Sequence, residues 1–131
     1  MKVLALDYGS ARTGVAVSDA TGTLARPLEV VERAGEPDGL RRIVELAERE
    51  QASCIVVGLP VTLRGERGAQ ALETEAFMEA LRGATSIPVE SFDERFTTKL
   101  AEASPSSAPS DAVAAAHLLS TYLEWKSALP T

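Results

Sequence analysis

Three acidic positions stand where the predicted elements of this 131-residue chain begin or end. Asp7 follows the first apolar run, Glu94 (with Asp93) follows the last predicted strand, and Asp111 opens the last predicted helix. Carboxylates buried close together repel one another unless cations compensate their charge. Mg²⁺ and Mn²⁺ prefer oxygen ligands, and two such ions about 4 Å apart can stabilise both oxygens of a phosphodiester cleavage. The acids therefore predict a metal site if the fold brings them together.

Each of these acids also has a purely structural interpretation. Asp7 could form an Asx turn ahead of Gly9, residues 93–95 could form an exposed charged turn, and Asp111 would gain from the dipole of its helix. The helical stripe that contains Asp111 favours a position facing the sheet, because its other members are largely apolar: Ala114, Ala115, Leu118 and Tyr122.

Basic and glycine residues surround the predicted acidic site. Arg12 and Arg95 could bind phosphate through bidentate hydrogen bonds, or either could pair with a neighbouring carboxylate. Gly9 and Gly14 are expected to let the first turn close tightly and approach phosphate. Asp19 ends the second strand and, because antiparallel neighbours run in opposite directions, we expect it at the far end of the sheet, outside the site.

The hydrophobic pattern predicts an α/β fold. It indicates three strands, then helix, strand, helix, strand and helix, in the stretches "KVLALD", "TGVAVSD", "LARPLEVVE", "EPDGLRRIVELAERE", "ASCIVVGLP", "ERGAQALETEAFMEALRG", "IPVESFD" and "SDAVAAAHLLSTYLEWK". Pro27 predicts an edge position for the third strand, and Asp38 is the predicted N-cap of the first helix. We therefore expect a mixed five-stranded sheet, built from an antiparallel meander of three strands plus two further strands, with helices on its faces.

Composition restricts the class of protein. The length suits a single domain over 1–131, and the lone Cys54, within an apolar run, is expected to fill core space. Neither a signal peptide nor a bilayer-spanning run is found, so we expect a cytoplasmic protein without a membrane partner. The net charge of −6 argues against nucleic-acid binding, but acids that hold metal contribute to that total without repelling phosphate once the metal is bound.

Four motifs together resemble a known family. They are "LDYGSARTGVAVSD", "VVGLP" followed by "RGERG", "FDERFTT", and "DAVAAAHLLSTYL". Their order and spacing are similar to those of the bacterial YqgF (RuvX-like) family of Holliday-junction resolvases or pre-16S rRNA nucleases, over nearly the entire chain. Each motif is weak alone, but the combination is specific.

The resemblance implies a ribonuclease-H-like fold and a Mg²⁺- or Mn²⁺-dependent endonuclease that processes the 5′ end of pre-16S rRNA in ribosome biogenesis. It implies Asp7, Glu94 and Asp111 as catalytic and metal-binding residues, with Asp93 as a further acid. Arg12 and Arg95 match the family's basic positions. The implied partners are structured RNA, branched DNA or a pre-ribosomal particle, with the protein as a monomer or homodimer.

One segment departs from the family. The stretch "KLAEASPSSAPS" before Asp111 is short and has Lys99 as its only basic residue to contact nucleic acid, where relatives carry a longer basic loop. Two alternatives to the ribosomal nuclease therefore stay open: a Holliday-junction resolvase in DNA recombination and repair, and a non-catalytic nucleic-acid-binding domain. The first turn also resembles the phosphate-binding hairpin of the actin and sugar-kinase superfamily, but the second, adenosine-binding half of those proteins is missing.

Overall fold

A computed structural model describes residues 1–59, 68–93 and 110–128. Its elements, in chain order, are β1 (Val3–Asp7), β2 (Arg12–Ser18), β3 (Ala25–Glu32), α1 (Pro37–Arg49), β4 (Cys54–Leu59), α2 (Ala69–Ala84), β5 (Val89–Asp93) and α3 (Ser110–Ser127). This is the order that the hydrophobic pattern predicts. Across the described ranges, no helix combines the length and apolar character needed to cross a lipid bilayer.

The strands form one mixed five-stranded sheet in the order β3-β2-β1-β4-β5. β1, β2 and β3 pair antiparallel, while β4 pairs parallel with both β1 and β5. The predicted meander is therefore confirmed. Pro27 lies on the edge strand β3, where the absent N–H group removes no bond from an interior ladder.

The two faces of the sheet are covered by different helices. Side chains alternate between faces along each strand, so Leu4 and Leu6 of β1 pack with α1 and α2, whereas Val3 and Ala5 pack with α3. β4 is buried on both faces, as its continuous apolar sequence predicts, and Cys54 is buried at its start. Burial raises the pKa of the Cys54 thiol, which agrees with its predicted role as core filler.

The start of α1 differs from the prediction by two residues. Glu36 is the N-cap, and Asp38 lies inside the first turn. The reason is Pro37, whose fixed φ angle suits the first helical position and starts the helix there. Asp38 still stabilises the helix, because a carboxylate in the first turn complements the helix dipole.

Candidate functional site

Parallel pairing aligns the carboxyl ends of three strands at one edge of the sheet. Asp7 ends β1 and is half-buried, and Leu6 pairs with Val57 of the parallel strand β4. Leu59 of β4 in turn pairs with Asp93, the last residue of β5. Because parallel strands end at the same edge, the structure brings Asp7 and Asp93 to one side of the molecule. They are separated by the width of β4, about 10 Å across two strand spacings.

Gly14 brings the last helix to this edge. It is the antiparallel partner of Asp7, and a Cβ atom built on it would lie 1.8 Å from the carbonyl oxygen of Asp111. Only a residue without a side chain permits this backbone approach. Gly14 is therefore required by its contact with the first turn of α3, and its approach to phosphate stays a prediction.

Asp7 and Asp111 consequently become neighbours although they are far apart in sequence. Antiparallel partners have Cα atoms about 5 Å apart, and Asp111 lies directly over the partner of Asp7. The Asp111 side chain is 39% exposed, while Leu118 and Tyr122 further along the same stripe are buried. The stripe thus faces the sheet as the sequence indicates, with its carboxylate at the open end.

Arg12 pairs with a carboxylate, which is one of the two interpretations that the sequence left open. Its Nε atom lies 3.4 Å from Oδ2 of Asp111, and its side chain is 66% exposed. An ion pair this exposed contributes about 1 kcal/mol or less to folding. Its main effect is local, because it places positive charge beside the acids at the mouth of the site.

The turn between β1 and β2 is held by contacts within the chain. The Gly9 N–H donates a hydrogen bond to the Thr13 hydroxyl oxygen, and the Thr13 hydroxyl donates to the Gly9 carbonyl oxygen, both at 3.4 Å. A Cβ on Gly9 would lie 2.5 Å from the Arg12 carbonyl oxygen, so the tight turn requires glycine, as predicted. These contacts fix the path of the chain from Asp7 to Arg12.

Sequence reasoning missed a link between this turn and α2. The Tyr8 ring stacks on Phe77 with centroids 4.4 Å apart, and its hydroxyl donates to Glu73 at 3.4 Å. Burial, followed by the nearby Glu73 charge, raises the pKa of Tyr8. Phe77 is buried in α2, and no sequence pattern indicates that Tyr8 is its partner.

The other predicted site residues lie outside the described part of the chain: Glu94, Arg95, Lys99 and the loop before Asp111. Glu94 directly follows Asp93, the end of β5. Within residues 1–59, 68–93 and 110–128, no three His, Cys, Asp or Glu side chains come close enough to hold a metal ion. Asp7 and Asp111 are therefore only part of any three-carboxylate site.

Asp19 lies outside the site, as expected. It follows β2 at the opposite end of the sheet, where its carboxylate accepts hydrogen bonds from the N–H groups of Thr23 and Leu24 and from the Thr21 hydroxyl. These bonds lower the pKa of Asp19 from its ordinary 3.8 to about 2, with the Thr23 N–H contributing most. Asp19 therefore organises a turn.

Comparison with known proteins identifies relatives over almost the whole chain. A protein of Chloroflexus aurantiacus named "Putative pre-16S rRNA nuclease" is 40% identical over 137 aligned positions, which cover 98% of this chain and 90% of that protein. A protein of the same name from Rubrobacter xylanophilus is 44% identical over 131 positions, covering 94% and 92%.

Two solved structures have a similar fold. The Thermus thermophilus RuvC in complex with a Holliday junction substrate superposes with a TM-score of 0.62 at 19% identity, covering 100% of this chain and 99% of that one. Fowlpox virus resolvase with Holliday junction DNA gives 0.56 at 12% identity, covering 96% and 99%. These likenesses confirm the predicted ribonuclease-H-like fold. The model of the RuvX family, described as Holliday junction resolvase, matches residues 1–125. The chain therefore belongs to the RuvX family, in agreement with its resemblance to YqgF proteins.

Proposed function

We propose that this chain is a divalent-metal-dependent endonuclease that processes the 5′ end of pre-16S rRNA in the cytoplasm, with residues 1–131 as one nuclease domain. The names of its relatives, which match over more than nine-tenths of the chain, support the substrate. The observation that carries the proposal is the meeting of Asp7 and Asp111 across Gly14. A fold that needed these acids only as a turn residue and a helix cap would not require that approach.

The donor set at this edge fits Mg²⁺ or Mn²⁺. Asp7 and Asp111 supply hard carboxylate oxygens, and the partial exposure of both leaves room for the water molecules that such ions retain. Glu94, one residue beyond the end of β5, is the proposed third ligand. When bound, the metal would polarise the phosphate and lower the pKa of a water molecule for attack.

The residues of the chain have distinct roles in this proposal. Asp7 and Asp111 would hold the metal, and their positions are fixed by β1 and by the contact of α3 with Gly14. Arg12 reduces the negative charge of Asp111, which lets a polyanionic substrate approach two acids. Arg95 and Lys99, which follow β5 in the sequence, are proposed to bind the nucleic-acid backbone.

A four-way DNA junction is the second candidate substrate. The description of the matching family model favours it, because that model is named for Holliday junction resolution. Resolution of a two-fold symmetric junction would require a homodimer, whereas an RNA-processing nuclease can act as a monomer. The two candidates therefore differ both in substrate and in the assembly that cuts it.

The test measures cleavage of a labelled pre-16S rRNA 5′ fragment and a labelled four-way junction, with Mg²⁺, with Mn²⁺ or with chelator. The variants are Asp7→Asn and Asp111→Asn, and the matched control is Asp19→Asn, the same substitution at the opposite end of the sheet. Loss of a metal-binding carboxylate should lower the cleavage rate by roughly 100-fold or more, while the control should cut normally below its melting temperature.

Each outcome has a clear meaning. Metal-dependent cleavage of the RNA alone supports the proposal, and cleavage of the junction alone replaces it with the resolvase. Full cleavage by Asp7→Asn would refute the assigned site. Binding of either nucleic acid without cleavage by the wild type would point to the non-catalytic binding domain.

A further inference from the structure

The turn that joins β3 to α1 holds an arginine in an unusual backbone conformation. Arg33 has a φ angle of +49°, in the left-handed region that residues other than glycine, asparagine and aspartate seldom adopt. Its side chain is exposed. Residues other than glycine in such conformations cluster at functional sites, so we ask what the Arg33 side chain could bind.

This turn lies at the same edge of the sheet as the candidate site. The Arg33 N–H donates to the carbonyl of Ala11 at 3.0 Å, and Glu32 is the strand partner of Arg12. From the strand register, the Cα atoms of Arg33 and Asp7 are about 14 Å apart. At that separation Arg33 is too far from Asp7 to contact a phosphate held there, but it could reach another nucleotide of the same strand.

The base of Arg33 is rigid. Its carbonyl accepts the Glu36 N–H at 3.0 Å, and Ala34 next to it is fully buried. A Cβ atom on Gly39 of α1 would lie 2.3 Å from the same carbonyl, so the helix packs directly against the turn. The guanidinium group therefore projects from a fixed point, and ordering it on a ligand costs little backbone entropy.

The charge of Arg33 is not used within the described part of the chain. In residues 1–59, 68–93 and 110–128, Arg33 makes no ion pair. The Lys126 ammonium group contacts the Tyr122 hydroxyl. All the remaining Lys and Arg residues of these ranges pair with carboxylates: Lys2, Arg12, Arg26, Arg41, Arg42, Arg49 and Arg82.

We infer that Arg33 binds a backbone phosphate of the nucleic-acid substrate, on the β3 side of the phosphate that is cleaved. The inference rests on the proposed function and adds to it a direction for the bound strand, which runs from the carboxylates across Arg12 towards β3. In a chain of net charge −6, an arginine at the same edge of the sheet as the acids, with no carboxylate partner in the described ranges, supplies attraction that the paired Arg12 gives mainly to Asp111.

The experiment measures binding and does not depend on cleavage. Fluorescence anisotropy gives the Kd of a labelled RNA hairpin with a single-stranded 5′ extension, and of a labelled four-way DNA junction, over a KCl series with Ca²⁺ in place of Mg²⁺. The variants are Arg33→Ala and Arg33→Gly. Arg26→Ala is the matched control, because Arg26 is an exposed arginine at the other end of β3, roughly 20 Å away.

Arg33→Ala should raise the Kd by roughly 5- to 10-fold at low salt, as expected for one lost charge-assisted contact. The slope of log Kd against log salt should fall by about 0.7 to 0.9. Arg33→Gly separates the side chain from the backbone: it should weaken binding equally while raising the melting temperature, because glycine adopts positive φ without strain. A residue that served only the turn could not produce these opposite changes.

Two results would overturn the inference, and they are distinguishable. If the wild type binds and both Arg33 variants match Arg26→Ala on both probes, Arg33 is a solvated turn residue and the proposed function is unaffected. If the wild type binds neither probe at low salt, the proposed function fails and the inference fails with it.

Discussion

Replacement of Gly14 by alanine tests how closely α3 approaches the sheet. The added Cβ atom would lie 1.8 Å from the carbonyl oxygen, 2.3 Å from the carbonyl carbon of Asp111 and 3.0 Å from the Ala112 nitrogen. All three are backbone atoms, so no side-chain rotation relieves the clash. The first turn of α3 must move about 1.5 Å to restore ordinary van der Waals contact.

That movement should have two measurable effects. Overpacking of a well-packed core costs up to about 3 kcal/mol when the neighbours cannot rotate away, which for a chain of this length lowers the melting temperature by roughly 10 °C. It also displaces Asp111 from Asp7, and a misplacement of about 1 Å can lower a reaction rate 100-fold. Stability and cleavage should therefore fall together.

Urea unfolding measures the first effect. Cleavage measured at roughly 20 °C below the variant's melting temperature, where the variant is still folded, measures the second. Gly83→Ala is the matched control: nothing lies within 4 Å of the added atom, and alanine in a helix should stabilise the fold by about 0.5 kcal/mol. An unchanged urea midpoint for Gly14→Ala would refute the close approach. A lowered midpoint with unchanged cleavage would refute the role of Asp111.

Two further predictions concern the pH dependence of stability. The lowered pKa of Asp19 means that its stabilisation is complete above its ordinary pKa of 3.8 and is lost as pH falls towards about 2, so Asp19→Asn should flatten the acid limb of a urea-midpoint profile. Burial and the hydrogen bond to Glu90 raise the pKa of Tyr122 above its ordinary 10.0, so the stabilisation that Tyr122 gives is complete below pH 10.0 and is lost at higher pH. Tyr122→Phe should therefore flatten the alkaline limb of the urea-midpoint profile. An alkaline slope equal to that of the wild type would contradict the burial of the hydroxyl.

The paired state of Arg12 changes how the site's electrostatics are understood. The sequence showed only that a flexible cation stood near acids, and it could bind phosphate or a carboxylate. The 3.4 Å contact with Asp111 shows that it partly neutralises the site before substrate arrives. A substrate phosphate that bound Arg12 would have to share it with Asp111. Arg33 has no carboxylate partner among the described residues, so we expect it to be the stronger phosphate ligand on this side.

The secondary structure could be predicted because its determinants are local. The continuous apolar runs of β1 and β4 are the pattern expected of strands that are buried on both faces, as both strands are. The α1 boundary was wrong by two residues because the choice between Glu36 and Asp38 as N-cap depends on Pro37, whose preference for the first turn competes with the capping preference of aspartate.

The sequence by itself determined the order of elements, the acids at their ends and the family. It could not determine which of those acids meet, because that depends on strand order and on a backbone contact between residues nearly a hundred positions apart. Only the tertiary structure places Asp111 over Gly14 and beside Asp7. Arg33 shows the same division: its sequence neighbours are unremarkable, and its importance follows from a left-handed backbone, a turn fixed by Gly39 and the lack of an acidic partner in the described chain.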